Sequence, residues 1–142
     1  SDTRRASVFG TPGVDIDWRN QNTFFLKTGE AKTYIGKYRG VNRIPLLKLS
    51  EMYLIAAEAS GDKSYLQTLR DHRGYVNYPL EENCDLAAEI EAEYRKEFMA
   101  EGQLFYYYKR LDYKTLPDMG IAMTGNYVFP MPDDEMEFGD IK

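Results

Sequence analysis

Cysteine is nearly absent from this sequence. Cys84 stands alone among 142 residues, which excludes an intrachain disulfide and a thiolate zinc cluster. Basic runs are missing too, since none exceeds the pairs Arg4-Arg5 and Lys109-Arg110. With 18 Lys and Arg against 23 Asp and Glu, the net charge is −5. Nucleic-acid binding and attachment to anionic lipid both rely on clustered cations, so neither is expected. The longest apolar stretch runs only from Met52 to Ala57, far short of the roughly 20 residues that a membrane-spanning helix needs. The glycines form neither GxGxxG nor GxxxxGK[ST], so no phosphate loop is present. An initial methionine is also missing, which leads us to expect a processed or excised piece of a longer protein.

Aromatic residues are plentiful: 12 Tyr, 7 Phe and one Trp make up 14% of the chain. Such rings supply buried area, and their flat faces also stack on ligands. The length suits one domain, residues 1–142. Within it we expect a loop and short-strand region over 1–43, a helical region over 44–112 and an extended segment over 113–142. In the first region "TFFL" and "KTYIGKY" read as short strands, and "TPGVD" reads as a turn.

The helical region opens with "IPLLKLSEMYLIAAEAS", expected as one helix over 44–60 with Pro45 in its first turn. Helical spacing places Leu46, Leu49, Tyr53, Ala56, Ala57 and Ser60 on an inner face, with Lys48, Glu51 and Glu58 opposite. Gly61 suits a left-handed stop and Asp62 a cap for a second helix to Arg73, carrying Tyr65, Leu66, Leu69 and His72 inward. Two helices so joined form the unit of helical-repeat proteins, although no internal repeat is present. Asp85 then caps a long helix over 86–111, with Ala87, Ile90, Tyr94, Phe98, Phe105 and Tyr108 near one face.

That long helix carries Glu89, Glu93, Glu97 and Glu101 in a line at every fourth position. Carboxylates so placed repel unless cations compensate. A di-metal site would need Glu-x-x-His, and Lys96 stands where that histidine belongs, so no metal or cofactor is expected. Some of the line is expected to be solvated and some to pair with Arg95, Lys96 or a distant arginine. Twenty-three acids make chance carboxylate pairs unavoidable, so glycosidase chemistry has no specific support. A Cys84–His72 nucleophile pair lacks any orienting motif, and we expect no enzymatic activity. Tyr106, Tyr107 and Tyr108 span about 200° of helical arc. Either one ring is exposed or the helix is enclosed on several sides, and we expect enclosure.

Trp18 lies in a polar segment, "DIDWRNQN", beside Asp17, Arg19 and Asn20. Sugars offer C–H faces to aromatic rings and hydroxyls to such polar groups, so Trp18 and Asn20 are the candidate ligand-binding residues. The alternative is a loop tryptophan folded onto the core.

Three ordered segments resemble one family. Lys48, Leu49, Glu51, Tyr53, Leu54, Ala57, Glu58 and Ala59 match a characteristic helix of SusD/RagB-like proteins. Glu93, Arg95, Glu97, Phe98, Glu101, Gly102 and Phe105 match a second, and Phe129, Pro130, Met131, Pro132 and Glu135 match the closing segment. "DTRRASVF" is similar to the segment preceding these, with Thr3 in place of a proline. The resemblance covers the C-terminal portion of a longer family pattern. It implies a mainly α architecture: a TPR-like helical hairpin, a long packing helix, irregular loops and minor β structure. It also implies an outer-membrane lipoprotein exposed at the surface of Bacteroidetes-type bacteria and anchored through a lipid on the full-length parent. Such a protein binds a nutrient, most often a glycan, and delivers it to a SusC-like TonB-dependent transporter without being an enzyme. The alternative function is a helical-repeat interaction module with no ligand site of its own.

Overall fold

The computed structural model describes residues 2–9, 16–20, 25–27, 33–117, 119–128, 130–133 and 137. The expected turn "TPGVD" and the motif residues Phe129 and Glu135 lie outside them. Two compact units divide the chain, residues 1–101 and 102–142.

The first unit contains α1 (Asp2–Phe9), the strands β1 (Phe25–Lys27) and β2 (Thr33–Ile35), and the helices α2 (Leu49–Ser60), α3 (Lys63–Arg70) and α4 (Leu86–Glu97). The mainly helical class expected from the sequence holds, and the two strands form one antiparallel ladder with Leu26 opposite Tyr34. Helix α1 was not foreseen, because the apolar residues of "DTRRASVF", Ala6, Val8 and Phe9, crowd its second half and set no helical period. It packs on α4. No helix among the described residues is long and apolar enough to cross a membrane.

Local chemistry fixes the hairpin of α2 and α3. Gly61 takes a left-handed φ of 70° and returns its N–H to the carbonyl of Ala57, while the Asp62 carboxylate accepts from the Ser64 N–H. Asp85 caps α4 in the same way, accepting from Ala87 and Ala88. Each cap satisfies backbone groups that a helix end leaves open. Helix α3 continues into a wider, π-helical turn over Asp71–Tyr75.

Helix α2 departs from expectation in start and in face. It begins at Leu49, so Pro45 and Leu46 precede it, and its buried residues are Ser50, Leu54 and Ala57. Leu46 and Leu49, expected inward, are 91% and 72% exposed. The cause is a choice between two apolar stripes. Lys48, expected on the outer face, is drawn inward to the Glu101 carboxylate, which turns the Ser50–Leu54–Ala57 stripe onto α3 and α4. In α3, Leu66 and Leu69 are buried as expected, whereas Tyr65, and His72 in the turn that follows, are exposed.

The span expected as one helix over 86–111 is two. Helix α4 ends at Glu97, and α5 (Gln103–Arg110) starts after a break in which Ala100 and Gly102 have φ of 62° and 77°. Left-handed backbone cannot continue a right-handed helix. Along α4, Ile90, Tyr94 and Phe98 are buried as the spacing predicts, and Ala87 is exposed.

The second unit is α5 with loops closed on it. A bridge pairs Thr115 with Ala122, and the Tyr127 hydroxyl donates to the Tyr113 carbonyl. Rings of Tyr108 and Tyr113 lie 4.9 Å apart, and Phe105 meets Tyr127 at 5.6 Å. Tyr107 and Tyr108 are buried, while Tyr106 is 68% exposed. Full enclosure of the three tyrosines is therefore replaced by the other geometric solution, one ring turned to solvent.

Candidate functional site

The glutamate line of α4 organises the first unit. Each carboxylate meets a cation from elsewhere in the chain. Glu89 accepts from Arg70 at 2.6 Å, Glu93 from Arg19 at 2.7 Å and from Lys96 at 3.0 Å. Glu97 receives Arg19 at 3.1 Å and two nitrogens of Arg73 at 3.0 Å each. Beyond the end of α4, Glu101 holds Lys37 and Lys48 and accepts from the Tyr38 hydroxyl at 3.0 Å. The repulsion implied by the spacing is thus compensated by distant arginines and Lys96, as expected for part of the line, and at Glu101 by Lys37 and Lys48, which were not expected there.

Arg19 is the hub. Its guanidinium is 2% exposed and donates to Asp17, Glu93 and Glu97, with Asp17 and Glu93 wholly buried. Burial alone would favour losing the proton, but the hydrogen bonds the guanidinium donates to Asp17 and the charge of Glu93 outweigh it and raise the pKa. Burial also works against ionised Glu97, yet Arg73 and Arg19 hold it down at about 2. Buried charges persist only with such pairing.

These pairs set Trp18 in place. The loop 16–20 is pinned to α4 through Arg19 and to α1 through Arg5, which donates to the Asn20 side-chain and backbone oxygens. On its other side lies Gly74, with φ of 110°. A Cβ there would sit 2.3 Å from the Ile16 carbonyl oxygen and 2.8 Å from the Trp18 Nε1. Only glycine permits this approach. Trp18 itself is 55% exposed, so the indole stands partly out of the core.

An open cleft of about 710 Å³ lies against that indole. Trp18, Tyr38, Leu47 and Val41 give it apolar surface, and Arg39, Lys37, Lys48 and Arg73 give it positive charge. Burial lowers the Lys37 amine to about 8 despite its bond to Glu101, and the neighbouring Lys48 adds to the lowering. Lys37 also donates to the backbone carbonyl of Glu97, where a cation suits the negative end of the α4 dipole. Lys48 lies over the rings of Phe98 and Tyr38, 5.2 and 5.3 Å from their centroids. Tyr38 has a left-handed φ of 69°.

The two sequence candidates occupy one loop but different environments. Trp18 faces the cleft, and Asn20 is 2% exposed behind it. The sequence did not single out Lys37, Tyr38, Arg39 or Arg73. The only signal was indirect, because four aligned glutamates required cations, and "GKYRG" carries one of them, Lys37. His72 also reaches the cleft, with its Nδ1 donating to the Thr68 carbonyl at 2.8 Å.

No curated protein and no solved structure matches the chain. A family model does: that of the SusD family, over residues 8–129.

Proposed function

The chain belongs to the SusD family, and on that premise we propose that it binds a glycan nutrient at the bacterial cell surface and passes it to a SusC-like TonB-dependent transporter. The parent protein is anchored in the outer membrane by its lipid, and binding is non-covalent, without catalysis. One observation carries the assignment to a site: a half-exposed tryptophan held rigidly at the mouth of a cleft. Sugars bind such surfaces through C–H faces on the ring and hydroxyls on nearby polar groups. Trp18 and Asn20 are the proposed pair. Trp18 offers its face, and Asn20, tied to Arg5, fixes the loop from which it does so.

Calorimetric titration of the chain with a panel of oligosaccharides tests this. At least one is expected to bind, with Trp18→Ala weakening it about tenfold, the equivalent of ~1.4 kcal/mol of lost stacking. Absence of heat with every saccharide, or unchanged affinity in the variant, contradicts the proposal.

A second reading has its own observation. Leu49, Met52 and Ile55 of α2 form an exposed apolar line, continued by Ile44, Leu46 and Leu47. Such a face suits a protein partner, and a module that docks on the transporter without touching ligand would co-purify with it and show no glycan affinity.

A further inference from the structure

We propose that the Trp18 cleft selects a saccharide bearing a carboxylate, a uronic-acid type of ligand, with its ring on Trp18 and its carboxylate received by Arg39. This deepens the glycan-binding reading and rests on it.

Charge around the cleft runs against the whole chain. The chain carries −5, whereas the cluster joins Arg19, Lys37, Lys48, Arg73 and Lys96 to only Asp17, Glu93, Glu97 and Glu101. With Arg39 on the lining there are six cations and four carboxylates. Their depths differ as well. Asp17, Glu93 and Glu97 lie at 0%, 0% and 3% exposure, while the Arg73 side chain reaches 26% and Arg39 is exposed. Arg73 and Arg39 therefore carry positive charge to the opening, above the three deepest carboxylates, while Arg19, Lys37, Lys48 and Lys96 lie at depths like that of Glu101.

The carboxylates are also spoken for. Both oxygens of Glu97 accept from arginine, so this lining acid has little repulsion left for an anion. Arg39 differs from the other cations. Its backbone N–H donates to Gly36, and its guanidinium has no partner among the described residues. A free guanidinium fork matches a carboxylate in two parallel hydrogen bonds. The low Lys37 amine points the same way, because an anion in the cleft would offset the burial and the Lys48 repulsion that depress it. The adjoining Trp18 face and the apolar Val41 and Leu47 favour a sugar ring over a bare anion.

Trp18 is the chain's sole tryptophan, so its fluorescence reports the site directly. The chain is titrated with trigalacturonate, with its neutral methyl ester, and with an aspartate tripeptide. A saturable change is expected with trigalacturonate, at least about tenfold weaker for the ester and in Arg39→Gln, and weakened by salt. Equal affinity for acid and ester overturns the charge selection and leaves the glycan reading standing. A tripeptide that binds as tightly overturns the saccharide part. Silence with every saccharide overturns both. Arg39 is exposed, and unchanged circular dichroism of the variant separates lost binding from lost fold; the ester comparison needs no variant.

Discussion

Arg19 is a buried guanidinium surrounded by Asp17, Glu93 and Glu97. Removing it leaves three carboxylates in a space from which water is excluded. Arg19→Ala is therefore expected to destabilise the first unit by about 3–5 kcal/mol, the usual cost of breaking a buried pair from one side. Arg19→Lys is expected to recover little, because an ammonium cannot bridge three acceptors with fixed geometry. Denaturant unfolding of both variants checks this, and a loss below about 1 kcal/mol in Arg19→Ala would show that the cluster is solvated. The sequence made the need for such a residue visible through the spacing of Glu93 and Glu97. It could not name the residue, since Arg19 lies 74 and 78 positions away, and local periodicity carries no information over that distance. Trp18 was legible as a candidate because a tryptophan among polar residues is unusual, but its close approach to Gly74, in the turn after α3, is a contact remote in sequence.

At the scale of elements, the features set by neighbouring residues were readable and those set by tertiary contacts were not. Asp62, Asp85 and Gly61 act within a few positions, and each does what its type suggests. The face of α2 was misread because two apolar stripes compete in its sequence, and the Lys48–Glu101 pair decides between them. The break after α4 was hidden as well, because Ala100 is a good helix former that here holds a left-handed φ. Glu97 couples three elements, receiving Arg73 from the turn after α3 and Arg19 from the loop 16–20. Its folded pKa of about 2 lies below the ordinary 4.5. The stabilisation is thus fully present above pH 4.5 and is lost as pH falls toward 2. Glu97 is 3% exposed, so solvent screens the effect little and it is worth roughly 3 kcal/mol. Unfolding free energies measured across that range should fall with acid, and Glu97→Gln should flatten this part of the profile. A profile equally steep in the variant would place the acid sensitivity elsewhere.

For the whole molecule, membership of the SusD family rests on a match over residues 8–129, and it agrees with the helical class read from the residues alone. The motif residues of the family proved to be largely architectural. Glu93, Glu97, Phe98 and Glu101 build the buried face and ion pairs of the first unit, while of the cations lining the cleft only Lys48 belongs to a motif, and Lys37, Arg39 and Arg73 do not. This explains why family and fold were legible and the cleft was not: packing imposes periodic patterns, and a binding surface does not. The central claim is that glycan is bound at Trp18. The most direct measurement follows the single indole N–H resonance of a ¹⁵N-labelled chain during oligosaccharide titration. It is predicted to shift saturably, together with the backbone signals of residues 36–39 and 72–74. A glycan that binds, by calorimetry, while leaving the indole resonance unmoved would contradict it.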